Sequence, residues 1–305
     1  MLWPPAPAEP RIAFVRNVSK PADLGFKVSG FGRFTQWLTG MGKGAAEFNK
    51  PFGITLDEAG NLCITDTGEG VVWYFDRERK KFERWQQIAK QPLVSPVAVA
   101  KANNVIFVAD SGTARVLAIA PNGKLLFEIK GPLVRPSGLA TAAGKLFVAD
   151  AQLHAILVFD FTGRLLTRFG TRGTGPGQLN FPTHISASAT GELLVTDSMN
   201  ARVQVFDLNG SVRRTIGGAG DTSGHFSRPK GTATDSANRL YVIDAAFDNI
   251  QIFDPNGRFL LHLGEAGNGA GEFWLPNGIA ISRDNHIYVT DAYNRRVQIF
   301  KYIGP

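Results

Sequence analysis

Residues 197–207 read Asp197-Ser198-Met199-Asn200-Ala201-Arg202-Val203-Gln204-Val205-Phe206-Asp207, and residues 291–300 read Asp291-Ala292-Tyr293-Asn294-Arg295-Arg296-Val297-Gln298-Ile299-Phe300. In both, an aspartate and a short loop lead into a run that alternates polar and apolar side chains, the period of two expected of a strand. Asn249-Ile250-Gln251-Ile252-Phe253 repeats the alternation between them. Outward from Arg202–Phe206, Leu193 to Asp197 is a preceding strand, and Thr190-Gly191 turns it back onto the apolar run Ile185 to Ser188. On the other side Leu208-Asn209-Gly210 is a turn signal, and Val212 to Ile216 is a fourth strand. One unit therefore holds four short strands joined by turns.

The unit recurs. A proline followed by a small residue two positions on opens it at Pro51, Pro96, Pro136, Pro229 and Pro276, and Pro182 opens a copy with His184 in the small position. Successive prolines are 45, 40, 46, 47 and 47 residues apart. A second marker, Asp66, Asp110, Asp150, Asp197, Asp244 and Asp291, follows each proline by 14 or 15 residues. A period near 45 residues carrying four antiparallel strands predicts the blade of a propeller. Six copies predict an all-β, six-bladed β-propeller.

The sixth copy ends after its third strand, and a strand-like run, Arg11 to Arg16, precedes the first copy. Pairing the two closes the last blade with the N-terminal strand and removes a large open edge. The expected organisation is an extension over 1–10 and one propeller over 11–305. Within it, 11–18 is the closing strand, 19–47 a connector and 48–305 the repeats. In the connector Phe31, Phe34, Trp37, Leu38 and Met41 recur at three- and four-residue spacing, which predicts a short amphipathic helix. Phe31, Phe34, Trp37 and Leu38 are a candidate patch for a partner or for peripheral membrane attachment.

The quoted repeats resemble NHL repeats, as do the inter-blade segments Gly173-x-Gly175-x-Gly177-Gln178-Leu179-x-Phe181-Pro182 and Gly267-x-Gly269-x-Gly271-Glu272-Phe273-x-x-Pro276. The resemblance covers about residues 42–302 and is strongest in copies 4 to 6. Trp3-Pro4-Pro5 and Pro10-Arg11-Ile12 look like the start of mature bacterial envelope proteins of this type. The resemblance implies an extracytoplasmic location, in the periplasm or outer envelope and lipid-anchored in a full-length lipoprotein form, with the cytoplasm as the alternative. Met1-Leu2-Trp3-Pro4-Pro5 looks like a start just past a removed signal or lipoprotein leader.

Composition bounds the chemistry. Of 305 residues, 44% are hydrophobic and 19% charged, enough apolar material for a core and incompatible with disorder. The one cysteine, Cys63, excludes an internal disulfide framework and a cysteine-based zinc site. No apolar run approaches the length of a membrane helix. Neither a Gly-x-Ser-x-Gly elbow, a P-loop nor a His-Glu-x-x-His helix occurs. The net charge of +7, with a pI near 9.6, favours acidic partners.

A residue present in every blade is architectural, so the six aspartates, and the pairs Asp197–Arg202 and Asp291–Arg296, are read as scaffold. Departures from the repeat are the functional candidates. His184 replaces the glycine or alanine of the other blades and should point towards the mouth of the central channel, where imidazole serves as a ligand or base. Candidate binding residues on that face are His184, His154, Lys230, Asn277, Arg202 and Arg296. His154, His184 and His225 lie on neighbouring blades, but their spacing is not that of a metal site, and no metal or other cofactor is expected. Peptidyl-hydroxyglycine amidating lyases and gluconolactonase-type propellers are similar in strand pattern. The former carry a zinc histidine directly after the blade-opening proline, a position held here by Phe52, Val97, Ser137, Thr183, Lys230 and Asn277. The latter bind calcium through channel carboxylates and asparagines, matched here by Asn277 alone, so neither active site carries over.

The resulting expectation is a non-catalytic scaffold that binds a protein or peptide through one face of the ring. The alternatives are a metal-dependent hydrolase or lyase at the channel mouth, and single-stranded RNA binding on a basic face, as the resemblance to NHL domains implies.

Overall fold

A computed structural model describes residues 1–26, 47–57 and 59–304. Five four-stranded antiparallel sheets follow one another along the chain, and a sixth, of five strands, joins its two ends. Blade 1 is Pro51–Leu56, Leu62–Asp66, Val71–Asp76 and Lys81–Trp85. Blade 2 is Pro96–Ala102, Val105–Asp110, Arg115–Ile119 and Leu125–Ile129, and blade 3 is Pro136–Ala142, Lys145–Asp150, Ala155–Asp160 and Leu165–Phe169. Blade 4 is Pro182–Ala187, Glu192–Asp197, Arg202–Asp207 and Val212–Ile216, and blade 5 is Pro229–Thr234, Leu240–Asp244, Asn249–Phe253 and Phe259–Leu263. Blade 6 has Pro276–Ile281, His286–Asp291 and Arg296–Tyr302, and its fourth strand is Ile12–Val18 from the other end of the chain, antiparallel to Arg296–Tyr302. The first strands of neighbouring blades touch all the way round, blade 6 meeting blade 1, so the ring is closed. The six-bladed propeller with N-terminal closure is the architecture that the repeat spacing predicted.

Blade 6 has one strand more than predicted. Leu2–Trp3 pairs with Ile12 and Ala13, so residues expected to form an extension add a fifth strand. Trp3 packs edge-on against Phe300 at 5.7 Å, which fixes this start of the chain on the core. A 3-10 turn, Pro21–Leu24, follows the closing strand. The expected helix with Phe31, Phe34, Trp37 and Leu38 lies outside the described residues. Among the described residues no helix is long and apolar enough to cross a membrane.

Six hydrophobic clusters hold the ring, each shared by two adjacent blades. Alternation along a strand distributes side chains between two of them. Ile106 and Val108 face blade 1, whereas Phe107 and Ala109 face blade 3. Second and third strands are buried on both faces and therefore read as continuous apolar runs, while outermost strands such as Lys81–Trp85 alternate exposed and covered residues. Fully burying one such aliphatic or aromatic side chain contributes about 1.5–3 kcal/mol. Cys63 is buried in the cluster between blades 1 and 2, and burial pushes its thiol pKa far up, so it stays protonated.

Small residues near the start of each first strand answer to crowding around the axis. A Cβ on Gly231 would sit 2.6 Å from the carbonyl oxygen of Asn277, and one on Gly53 would sit 2.7 Å from that of Val97.

Candidate functional site

The six repeated aspartates are buried, and each carboxylate ties the end of its second strand to the segment that enters the same blade. Asp66 accepts from the N–H groups of Asn49 and Lys50, at 2.7 and 2.8 Å. Asp150 does so from Val134 and Arg135, Asp197 from Asn180, and Asp244 from Ser227 and Arg228. Several of these carboxylates also hold the loop that follows the strand, through bonds to Gly68, Gln152 and Ala246.

Arg202 and Arg296, expected at the binding mouth, are engaged in this scaffold. Arg296 donates to Asp291 at 2.7 Å and to the backbone oxygens of Asn268, Gly269 and Glu272 at 2.7–2.8 Å. Arg202 holds Asp197 and the oxygens of Gly175 and Gln178 in the same manner. Each guanidinium thus pins a glycine-rich inter-blade loop, and no hydrogen bond joins either one to His184. His154 is also spent locally. It is buried, its Nδ1 accepts from the Phe181 N–H at 3.1 Å, and its ring meets the Phe181 ring edge-on at 4.7 Å. His225 is exposed and bonds to Thr222. Among the described residues no three His, Cys, Asp or Glu side chains gather to hold a metal ion.

His184 and Asn277 are brought together. Nε2 of His184 in blade 4 lies 3.0 Å from Oδ1 of Asn277 in blade 6. The imidazole also stacks at 6.4 Å on Phe52 of blade 1, the blade diametrically opposite. Three side chains from different blades therefore meet across the axis and bridge this end of the channel. Burial, then the charge of Lys230, hold the His184 pKa down at about 3 despite the Asn277 hydrogen bond, so the ring is neutral at physiological pH. Its Nδ1 and the neighbouring Thr183 Oγ1 are sealed from solvent without a hydrogen-bond partner among the described residues.

Lys230 lies beside this cluster on the first strand of blade 5. Its pKa is lowered by burial and by Arg228 and Arg135, two further cations on loops of the same face. Among the described residues none of these three side chains forms an ion pair. Large apolar side chains stand exposed around the same rim: Val94, Val134, Met199, Phe247, Trp274 and Tyr293. Trp274 and Tyr293 pair at 5.4 Å, and the Lys50 ammonium sits 4.6 Å above the Tyr293 ring. These side chains come from different blades and become one surface only when the ring closes.

The central channel, about 290 Å³, is lined by first strands of all six blades. It runs from the His184 end to Leu56, Lys101 and Thr141 near the ends of those strands. These three residues also line a depression of about 1040 Å³ on the opposite face, over blades 1, 2 and 3. The channel is thus bridged at the end where the sequence placed the site and continuous with a cavity at the other.

Comparison with known proteins agrees with this architecture. The family described as a 6-bladed beta-propeller matches residues 129–215 and 231–302, just over half of the chain. An auxiliary nutrient binding protein from Bacteroides thetaiotaomicron VPI-5482 is similar in structure, with TM-score 0.66 and 14% identity over 84% of this chain and 70% of that one. Virginiamycin B lyase from Staphylococcus aureus aligns with TM-score 0.62 and 14% identity over 84% of this chain and 96% of its own. The hydrazine synthase of Kuenenia stuttgartiensis aligns with TM-score 0.60 and 15% identity, covering 83% and 95%. Likeness at such identities is likeness of fold. No curated protein matches the sequence. With its repeats, ring closure and family match in agreement, the chain belongs to a family of six-bladed β-propellers.

Proposed function

We propose that this chain is a non-catalytic binding propeller of NHL-repeat type that holds a protein or peptide partner against the face bearing His184, in a bacterial cell envelope. One observation carries the reading: Val94, Val134, Met199, Phe247, Trp274 and Tyr293 are exposed on the loops of that face, interleaved with Lys50, Arg135, Arg228 and Lys230. Exposed aromatic and apolar anchors among cations suit an apolar segment with acidic flanks. The envelope location rests on the resemblance of the N-terminal residues. A neutral His184 with a pKa of about 3 is a weak general base near pH 7, which lends less support to a hydrolase or lyase at this mouth.

Photo-cross-linking tests the proposal. A photoreactive residue placed at Trp274 or Met199 should trap one protein in stoichiometric yield from the native envelope, and the same probe at Leu165 on an outer strand should not. Lys230→Ala with Tyr293→Ala should lower that yield at least about tenfold, the effect of losing one or two anchors. Equal trapping from both positions would rule the face out. The Trp274–Tyr293 pair beside Lys50 gives single-stranded RNA a specific second reading, since bases stack on such platforms. That reading requires affinity for an oligonucleotide that falls steeply with salt.

A further inference from the structure

The depression on the face opposite His184 has a local cause. In blades 2 and 3 the first and second strands are joined by two-residue turns, Asn103-Asn104 and Ala143-Gly144, with Ala102 paired to Val105 and Ala142 to Lys145. Asn103, Ala143 and Gly144 have φ of 52°, 46° and 72°, the left-handed region that such tight turns need. Other blades use longer connections, such as Ser188 to Glu192 and Asp235 to Arg239. Short turns over blades 2 and 3 border the hollow of about 1040 Å³ that continues into the channel. Its size suits a ligand of several rings.

The chemistry of the walls narrows the class. The floor holds an ion pair between Lys101 and Asp57, with side chains 7% and 10% exposed. Asp57 also accepts from the Asn61 side chain at 2.9 Å. The two charges cancel, so the floor offers no free charge to a charged ligand. On the rim Arg79 lies 3.7 Å from Asp76, and Glu78 forms no ion pair among the described residues. What remains available is neutral and directional. Tyr74 is 3% exposed and lines the cavity. Burial first, then the Asp57 charge, raise its pKa to about 12, so the hydroxyl stays a donor. The side-chain amides of Asn103 and Asn104 on the rim make no hydrogen bond among the described residues, and each carries both donors and an acceptor. Leu126 and Phe161 add apolar wall beside them.

We propose that this cavity is a second binding site, on the face away from the partner surface, that takes a neutral carbohydrate of two or three sugar rings. A sugar presents apolar C–H faces edged by hydroxyls that donate and accept at once. An ion-paired floor, exposed amides and a tyrosine hydroxyl match that pattern, whereas an anion would meet Glu78 on the rim.

Calorimetric titration of the full chain with neutral trisaccharides (maltotriose, cellotriose, mannotriose and triacetylchitotriose) and with an uncharged tripeptide tests the proposal. At least one trisaccharide should bind with a dissociation constant on the order of 1 mM or tighter. Tyr74→Phe and Asn104→Ala should each weaken it about three- to tenfold, as expected for losing one neutral hydrogen bond. Lys230→Ala, on the other face, should leave it unchanged. Asn104 is exposed on a turn, so its variant keeps the test open should Tyr74→Phe fold poorly. Silence from all four sugars, tighter binding of the tripeptide, or sugar binding indifferent to both variants would overturn the assignment.

Discussion

His184 of blade 4 and Asn277 of blade 6 lie 3.0 Å apart, Nε2 to Oδ1, although 93 residues separate them. The contact, with Phe52 stacked behind the imidazole, fixes a neutral histidine in the end of the channel.

Acid should therefore unfold the protein partly through His184. Its folded pKa of about 3 lies below the ordinary value of 6.5. Between these values the unfolded chain binds a proton that the folded one does not, so stability rises with pH and is lost as pH falls from 6.5 towards 3. The slope from this group is at most about 1.4 kcal/mol per pH unit. His184→Gln should flatten the acid limb of a stability–pH curve by that amount. An identical slope in the variant would show that the ring is not held neutral.

Arg296 should matter to the fold. Removing it by Arg296→Ala strips Asp291 of its charge partner and removes three hydrogen bonds to backbone oxygens of the loop before blade 6. Breaking a buried pair from one side costs about 3–5 kcal/mol. Urea denaturation should show a loss of that size, and a change below about 1 kcal/mol would restore Arg296 as a candidate for ligand contact.

Deleting residues 1–18 should open blade 6. The strand Arg296–Tyr302 would lose its partner Ile12–Val18, and Phe300 would lose Trp3 and Phe14. An unpaired edge beside exposed aromatics favours self-association. Light scattering should report concentration-dependent assembly, and calorimetry a lower melting temperature. A monomer melting as before would contradict the closure.

Gly231→Ala probes the packing at the axis. The added Cβ would fall 2.6 Å from the Asn277 carbonyl oxygen, a backbone atom that cannot swing aside. Overpacking of this kind costs about 1–3 kcal/mol. Wild-type stability in this variant would mean that the first strands are not in the close contact described.

Much of the fold was legible because a repeat states its period in the chain itself. The prolines, the aspartates and the strand-like run left over before blade 1 fix the number of blades and the way the ring closes, and burial on both faces explains the continuous apolar strands. The 40-residue interval after Pro96 even records the shorter blade 2, with its tight Asn103-Asn104 turn. Spacing also marked His184 as the departure from the small residues around it. It did not say that the imidazole would span to Phe52 and Asn277, that Arg202 and Arg296 would be consumed by loop carbonyls, or that Lys101 and Asp57 would pair between blades. Nor did it join Val94, Met199 and Trp274 into one rim. Those relations arise between residues far apart in the chain, and distance along a sequence carries no signal of side-chain proximity. Period and alternation are local properties, set by the strand backbone, and so survive in one dimension. Which groups end up facing one another across the ring is decided only once six blades share an axis.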